Sequence, residues 1–245
     1  MSAGDKLARS FGAATVSVDQ RQQLIRRTFA QVAPRYDVMN DLMSMGIHRL
    51  WKSAFVALAA ARPGEIAVDL AGGTGDIALA LASAGARTLV VDPSPEMMRA
   101  GRGRPGADGL RWIAAEAERL PFPDASIDLI TISFGIRNAT RVDDALAEIA
   151  RVLKPGGRLF CLEFSTPQAW LRPFYGLWSR TAIPLLGAIV SRRRDAYRYL
   201  VESIRRFPDQ AEFASMIASS GLVDVEWRDY SFGIAAVHSA RKPAA

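Results

Sequence analysis

Asp69, Asp76 and Asp92, set around a cluster of glycines, mark where this chain could do chemistry. The segment Ile66–Ala80 reads I-A-V-D-L-A-G-G-T-G-D-I-A-L-A: an apolar run containing Asp69, then Gly72, Gly73, Thr74 and Gly75, then Asp76 opening an Ala/Leu-rich stretch. Glycines in such a turn let backbone N–H groups approach a ligand closely and take up positive φ. A second apolar run, Thr88–Val91, ends at Asp92, where a carboxylate can accept both hydroxyls of a ribose. Two ligands compete for the turn. Read as G-x-G-x-x-A from Gly73 to Ala78, it suits a dinucleotide whose pyrophosphate rests on a helix N-terminus. Asp69 and Asp76 would repel a pyrophosphate but attract the ammonium and sulfonium of S-adenosylmethionine, so the turn favours the methyl donor.

Such a seat needs a frame, and the surrounding pattern supplies one. Strand patterns over Ile66–Leu70, Thr88–Val91, Leu110–Ile113, Ile127–Ser133 and Arg158–Phe164 alternate with helical patterns after Pro95 and over Val142–Leu153, and helix Ala54–Ala61 precedes them. That alternation implies an α/β fold with a parallel sheet and helices on both faces. Ligands on such sheets sit beyond the carboxyl ends of the strands. Asp69, Asp92, Glu116, Ser133 and Glu163 all fall at or just past predicted strand ends and should converge on one rim. A helix over Ala211–Ser220 and strand-like runs Val223–Trp227 and Ile234–Ser239 close the chain, the two runs forming an antiparallel pair.

Upstream of the sheet, residues 1–17 are small and polar without a sustained period and read as a frayed tail. Leu24, Ile25, Phe29 and Val32 then form a helical stripe that Pro34 stops. The stretch Tyr36–Lys52 mixes aromatic, amide, acidic and methionine residues; it reads either as a lid over a pocket or as a packed helical pair with polar caps. The expected organisation is a tail and first helix start over 1–27, followed by one domain over 28–245. That domain would hold a helical lid at 28–62 and an inserted helical cap at 168–206. Within the cap, Trp170, Phe174, Tyr175, Trp178 and an apolar run at 182–190 are accompanied by many arginines and only Asp195 and Glu202 as acids. The apolar run is too short to cross a bilayer; it suits an interfacial helix, or equally a cap lining a pocket.

A length of 245 residues and a hydrophobic content of 49% allow a full core in one domain. No run of 18 apolar residues occurs and no signal-peptide pattern opens the chain, so neither a transmembrane helix nor export is expected. The single Cys161 allows no disulfide and no cysteine-based metal site, and no metal is expected. The net charge of +6 without any nucleic-acid-binding motif points to an anionic membrane surface rather than to nucleic acid. The expected location is cytoplasmic, peripheral at the inner face of the membrane through 168–194.

Four blocks carry a family resemblance. They are Y-D-V-M-N-D-L-M-S-M-G-I-H-R-L-W-K at 36–52, T-I-S-F-G-I-R-N-A-T at 131–140, R-V-L-K-P-G-G-R-L-F-C-L-E-F-S at 151–165 and Y-R-Y-L-V-E-S-I-R-R-F-P at 197–208. Together they resemble the UbiE/COQ5 family of quinol C-methyltransferases, from about Thr28 to the C-terminus. The glycine turn and L-P-F-P-D-A-S-I-D at 120–128 would fit most class I methyltransferases.

The resemblance implies a class I S-adenosylmethionine-dependent methyltransferase fold, Rossmann-like, whose seven-stranded sheet has an antiparallel last strand. It implies S-adenosylmethionine as cofactor and a polyprenylated quinol, demethylmenaquinol or a methoxy-polyprenyl-benzoquinol, as substrate. Carried over by position, the donor site comprises Thr74 in the glycine turn, Asp92, the Glu116-Ala117 pair and Ser133. The family commonly has Asp-Ala where this chain has Glu116-Ala117.

For the acceptor, the resemblance favours Arg137 as stabiliser of a quinol phenolate and Asn138 as its orienting partner, with Tyr36 and Asn40 facing the ring from the lid. A phenol pKa of roughly 10 requires a base or a positive charge nearby at neutral pH. His48, beside Arg49, Trp51 and Lys52, is left out of the catalytic set. Three rivals stay open: a dehydrogenase on the same architecture, a non-catalytic member of a quinone-synthesis assembly, and a methyltransferase acting on another small molecule. Homodimerisation is likewise open.

Overall fold

The structure, a computed structural model, describes residues 7–11, 14–32, 41, 44, 46–176 and 194–244. Two helices lead the fold, α1 (Val18–Val32) and α2 (Ile47–Ala59). Then follow β1 (Ile66–Leu70), α3 (Asp76–Ser83), β2 (Arg87–Val91), α4 (Pro95–Arg102), β3 (Arg111–Ile113), β4 (Ile127–Ser133), α5 (Val142–Val152) and β5 (Leu153–Phe164). The chain ends with α6 (Arg194–Arg206), α7 (Gln210–Ser219), β6 (Val223–Tyr230) and β7 (Ala235–Arg241).

The main sheet has seven strands in the order β3-β2-β1-β4-β5-β7-β6. β1 through β5 pair in parallel, and β7 runs antiparallel to both β5 and β6. The order reverses between β1 and β4, which is where an open α/β sheet leaves a crevice beyond its strand ends.

Period-two alternation divides the strand side chains between two cores. Ala67, Phe160, Leu162 and Val237 join one face with Trp51 and Phe55 of α2, Ile77 and Leu81 of α3, and Ile25 of α1. Val68, Leu70, Leu159 and Cys161 join the other with Leu146 and Ile149 of α5 and Phe213 and Ile217 of α7. Because both faces are covered, the central strands are apolar almost without interruption, as a parallel sheet requires.

Two elements differ from the sequence expectation. α2 starts at Ile47 rather than Ala54, because Gly46 takes a left-handed φ of 77° ahead of a buried stripe of His48, Trp51, Phe55 and Ala59. The described part of the presumed frayed tail, residues 7–11 and 14–17, is anchored: Ser10–Phe11 pairs with Ala14–Thr15, Leu7 is buried, and the rings of Phe11 and Tyr199 stack with centroids 4.4 Å apart. Isolated apolar residues hold this segment, so no periodicity announced it. The expected apolar run at 182–190 and Trp178 lie outside the described residues.

Candidate functional site

Two of the seven non-glycine residues with positive φ among the described residues flank the β1/β4 crevice. Ala71, just past β1, and Phe134, just past β4, both hold left-handed φ values, 54° and 55°. Non-glycine residues in that region cost on the order of 1–3 kcal/mol each and concentrate at functional sites. Gly135 must be a glycine here, since a Cβ would stand 2.5 Å from that of Ala71. In the turn after β1, a Cβ on Gly72 would meet the Asp69 carboxylate at 2.7 Å, so a bare backbone is what lets the acid sit against the turn.

The turn, the strand ends and α1 enclose a cleft with about 1110 Å³ of empty space, part of it open to solvent. Asp69, Gly72, Gly73, Thr74, Asp92, Glu116, Ala117 and Ser133 all line it, so the rim expected from the sequence does converge. Gly75 does not: it turns away from the cleft, and a Cβ there would strike the Trp112 ring at 2.8 Å. Its φ of 77° starts α3, which makes it a structural glycine rather than a ligand contact. Glu163 does not line the cleft either; it lies beneath the rim, 1% exposed.

The carboxylates have three different environments. Asp69 accepts hydrogen bonds from Ala78 N and Thr131 Oγ1, both at 3.1 Å, and burial pushes its carboxyl up to about 7. Asp92 ties the turn to β2, accepting from Gly73 N at 2.9 Å and Ser94 N at 2.8 Å, and burial raises it to about 6. Asp76 behaves oppositely. Burial pushes it up, but the Lys52 ammonium at 3.0 Å and the Arg104 guanidinium at 2.5 Å outweigh that and hold it below the usual carboxylate range. Asp76 therefore offers no free negative charge to a ligand, and the expectation that it attracts a cationic donor is corrected. Ser133 lines the cleft, and its Oγ is buried with no hydrogen-bond partner.

Asn138 lines the cleft, and its Oδ1 accepts a hydrogen bond from Tyr199 Oη at 3.0 Å. Burial pushes the Tyr199 phenol up, so it stays protonated as the donor. Arg137 takes another course. Its guanidinium points inward, 2% exposed, and donates to Glu163 Oε1 at 2.5 Å and to the Phe134 carbonyl at 2.8 Å, with Phe164 at 5.5 Å from the Arg137 Cζ. The expectation that Arg137 faces an acceptor ring gives way to a buried ion pair that holds the β4–α5 loop onto β5. Tyr36 and Asn40 lie outside the described residues.

Sequence reasoning missed the contribution of α1. Arg21 is buried and donates to the carbonyls of Ala139 and Arg137 at 2.6 and 3.0 Å, docking the helix on the β4–α5 loop. Gln22, the next residue, and Arg26, a turn beyond it, reach across the cleft to Glu116. The only trace was Q-R-Q-Q-L-I-R-R at 20–27, which a helical pattern assigns to a solvated face. Lys52 and Glu118 also line the cleft without having been singled out.

The family model described as the ubiE/COQ5 methyltransferase family matches residues 15–242. The chain belongs to that family. Among curated relatives, the ubiquinone/menaquinone biosynthesis C-methyltransferase UbiE of Rubrivivax gelatinosus is 60% identical over 239 residues, covering 98% of this chain and 95% of its own. The namesake from Paracoccus denitrificans is 51% identical, covering 95% and 96%.

Solved structures share the fold at low identity. A SAM-dependent methyltransferase of Thermotoga maritima superposes with a TM-score of 0.64 at 19% identity, covering 89% of this chain and 99% of its own. The [4+2]-cyclase SpnF superposes with a TM-score of 0.67 at 17% identity, covering 91% and 96%. A cyclase on this architecture shows why the fold alone names no reaction. The ubiE/COQ5 match starts at residue 15, ahead of the Thr28 expected from the sequence blocks, and so takes in the α1 residues that line the cleft.

Proposed function

We propose that this ubiE/COQ5 methyltransferase binds S-adenosylmethionine in the β1/β4 cleft and C-methylates the ring of a polyprenylated quinol in ubiquinone or menaquinone biosynthesis. The observation that carries the cofactor assignment is the ring of Asp69, Asp92 and Glu116 around a bare-backbone turn, completed by an unpartnered Ser133 Oγ. A dinucleotide pyrophosphate would meet Asp69 and Asp92, neither of which is ion-paired, and this disfavours the dehydrogenase alternative. The retained cleft likewise speaks against a non-catalytic subunit.

Bound in the cleft, S-adenosylmethionine supplies an electrophilic methyl group on a sulfonium, and no metal is needed. Asp92 keeps free lone pairs on both oxygens for ribose hydroxyls after accepting its two backbone N–H groups. Asp69, poised at about 7, is drawn to its ionised form by a positive neighbour and then stabilises it. α1, α2 and the β4–α5 loop wall the cleft and limit the access of water to it. Asn138, its amide oriented by Tyr199, is a polar group of the β4–α5 loop that lines the cleft and can fix a quinol hydroxyl. Arg137 serves this as a positioning residue through Glu163. Incubation with methyl-labelled S-adenosylmethionine and short-chain demethylmenaquinol or benzoquinol acceptors tests the assignment: label in the ring supports it, and no transfer to either acceptor overturns it.

A lipid-dwelling acceptor calls for contact with a bilayer. Trp170 and Phe232 form an edge-to-face pair at 5.2 Å on the surface, with Phe174 also largely exposed. Phe232 comes from the β6–β7 turn, so the aromatic patch joins two parts of the fold, as an interfacial anchor beside a basic segment would. No helix among the described residues is long and apolar enough to cross a membrane. Liposome flotation with anionic vesicles should carry the wild type and lose most of it in a Trp170→Ser/Phe232→Ser variant. Equal flotation of both would remove the patch from the proposal, and no flotation of either would remove lipid contact.

A further inference from the structure

The Asp76 cluster carries one positive charge too many for a structural ion pair. Lys52 and Arg104 both contact this single carboxylate, so the three groups sum to a unit positive charge at the start of α3. Lys52 is placed there by α2, whose Trp51 and Phe55 are buried in the core on either side of it in sequence. Its side chain is 13% exposed and lines the cleft, whereas Arg104 approaches Asp76 from outside it.

The cleft has a direction. Glu116 stands beyond β3, Asp92 at the end of β2, Asp69 and the glycine turn at the end of β1, and Ser133 at the end of β4. A ribose on Asp92 with its base toward Glu116 leaves the β1/β4 side for the amino-acid end of the donor. That end bears a carboxylate, ionised at any pH above about 4, and in a cleft ringed by acids it needs a cation. Among the described residues lining the cleft, the basic ones are Arg26 and Lys52, and Arg26 is engaged with Glu116 at the opposite end.

We propose that Lys52 is the receptor for the carboxylate of the methyl donor, an inference that rests on the S-adenosylmethionine assignment above. Asp76 positions the ammonium, and because Arg104 neutralises Asp76 independently, Lys52 can turn a donor bond toward the ligand without leaving a carboxylate uncompensated. A charge-assisted hydrogen bond of this kind is of the size that separates a true ligand from its decarboxylated analogue.

Isothermal titration of S-adenosylmethionine and of decarboxylated S-adenosylmethionine, which differ only in that carboxylate, tests it without reference to turnover. Wild type should prefer the intact donor, and Lys52→Met should weaken the intact donor by about 10- to 100-fold while leaving the decarboxylated form within about 2-fold. Lys52→Arg, which keeps a cation, should retain most of the preference. If Lys52→Met weakens both ligands equally, its role is structural and the proposal falls; if it weakens neither, the carboxylate is held elsewhere. Failure of the wild type to bind either ligand would instead remove the donor site itself, and the proposal with it.

Discussion

Removing one member of the Arg137–Glu163 pair should destabilise the protein far more than removing both. The two side chains are each 2% exposed and meet at 2.5 Å. Unit charges about 4 Å apart at an effective dielectric near 20 interact by about 4 kcal/mol, and deleting one partner of such a pair costs about 3–5 kcal/mol because the other charge is left buried. In a chain of this size each kcal/mol lowers the melting temperature by about 2–4 °C, so Arg137→Met or Glu163→Leu should melt about 6–20 °C below wild type. Arg137→Met/Glu163→Leu leaves no orphaned charge. Its residual cost comes from backbone groups that lose a side-chain partner, the Phe164 N–H that Glu163 accepts and the Phe134 carbonyl to which Arg137 donates, both at 2.8 Å, about 1–3 kcal/mol for a group left unpaired; each is already lost in one of the single variants. Urea denaturation of the four proteins at pH 7 gives the double-mutant cycle, with an expected coupling of at least about 2 kcal/mol. A coupling below about 0.5 kcal/mol, the scatter of independent sites, would refute the claim that this pair clamps the loop carrying Asn138. Donor affinity of variants still folded should match wild type while turnover falls, since the pair lies under the acceptor loop and not in the donor cleft.

Four further outcomes follow from the cleft. Donor affinity should fall about tenfold from pH 7.5 to pH 5, because at a pKa of about 6 only about a tenth of Asp92 is ionised at pH 5; a flat titration profile by calorimetry would contradict the ribose role. Folding stability runs the other way: Asp69 and Asp92 are both raised by burial, so their contribution is complete below about 4 and is lost as pH rises through about 6–7. Ser133→Val should leave the melting temperature nearly unchanged, since its hydroxyl has no partner to orphan, yet weaken S-adenosylhomocysteine binding several-fold; unchanged affinity would take Ser133 out of the site. Arg26→Ala should shift stability by less than about 1 kcal/mol, as its side chain is 54% exposed, but speed donor dissociation in stopped flow by opening the α1–Glu116 latch. A dissociation rate equal to wild type would show that the latch does not close the cleft.

Much of the frame was legible in advance. The alternation of apolar strands with helical stripes, Asp92 at a strand end and Ser133 at another led to a parallel sheet and a rim of convergent residues, and the structure assembles both. The antiparallel β6–β7 pair was equally visible in two closing β-rich runs. The charge state of the site was not. Asp76 reads in sequence as a second acid flanking the glycine turn; in the fold it is neutralised by Lys52 and Arg104, residues 24 and 28 positions away.

Local spacing by itself determined which residues could stand at strand ends and which backbone positions had to be bare, because period two, period 3.6 and the steric demands of positive φ act between near neighbours. Only the tertiary structure decided where each charge is spent. Whether Arg137 faces a ligand or Glu163, and whether α1 presents Arg26 to solvent or to Glu116, depends on what the packing of distant elements brings within 3 Å, and electrostatic free energy in a buried site is set at that distance.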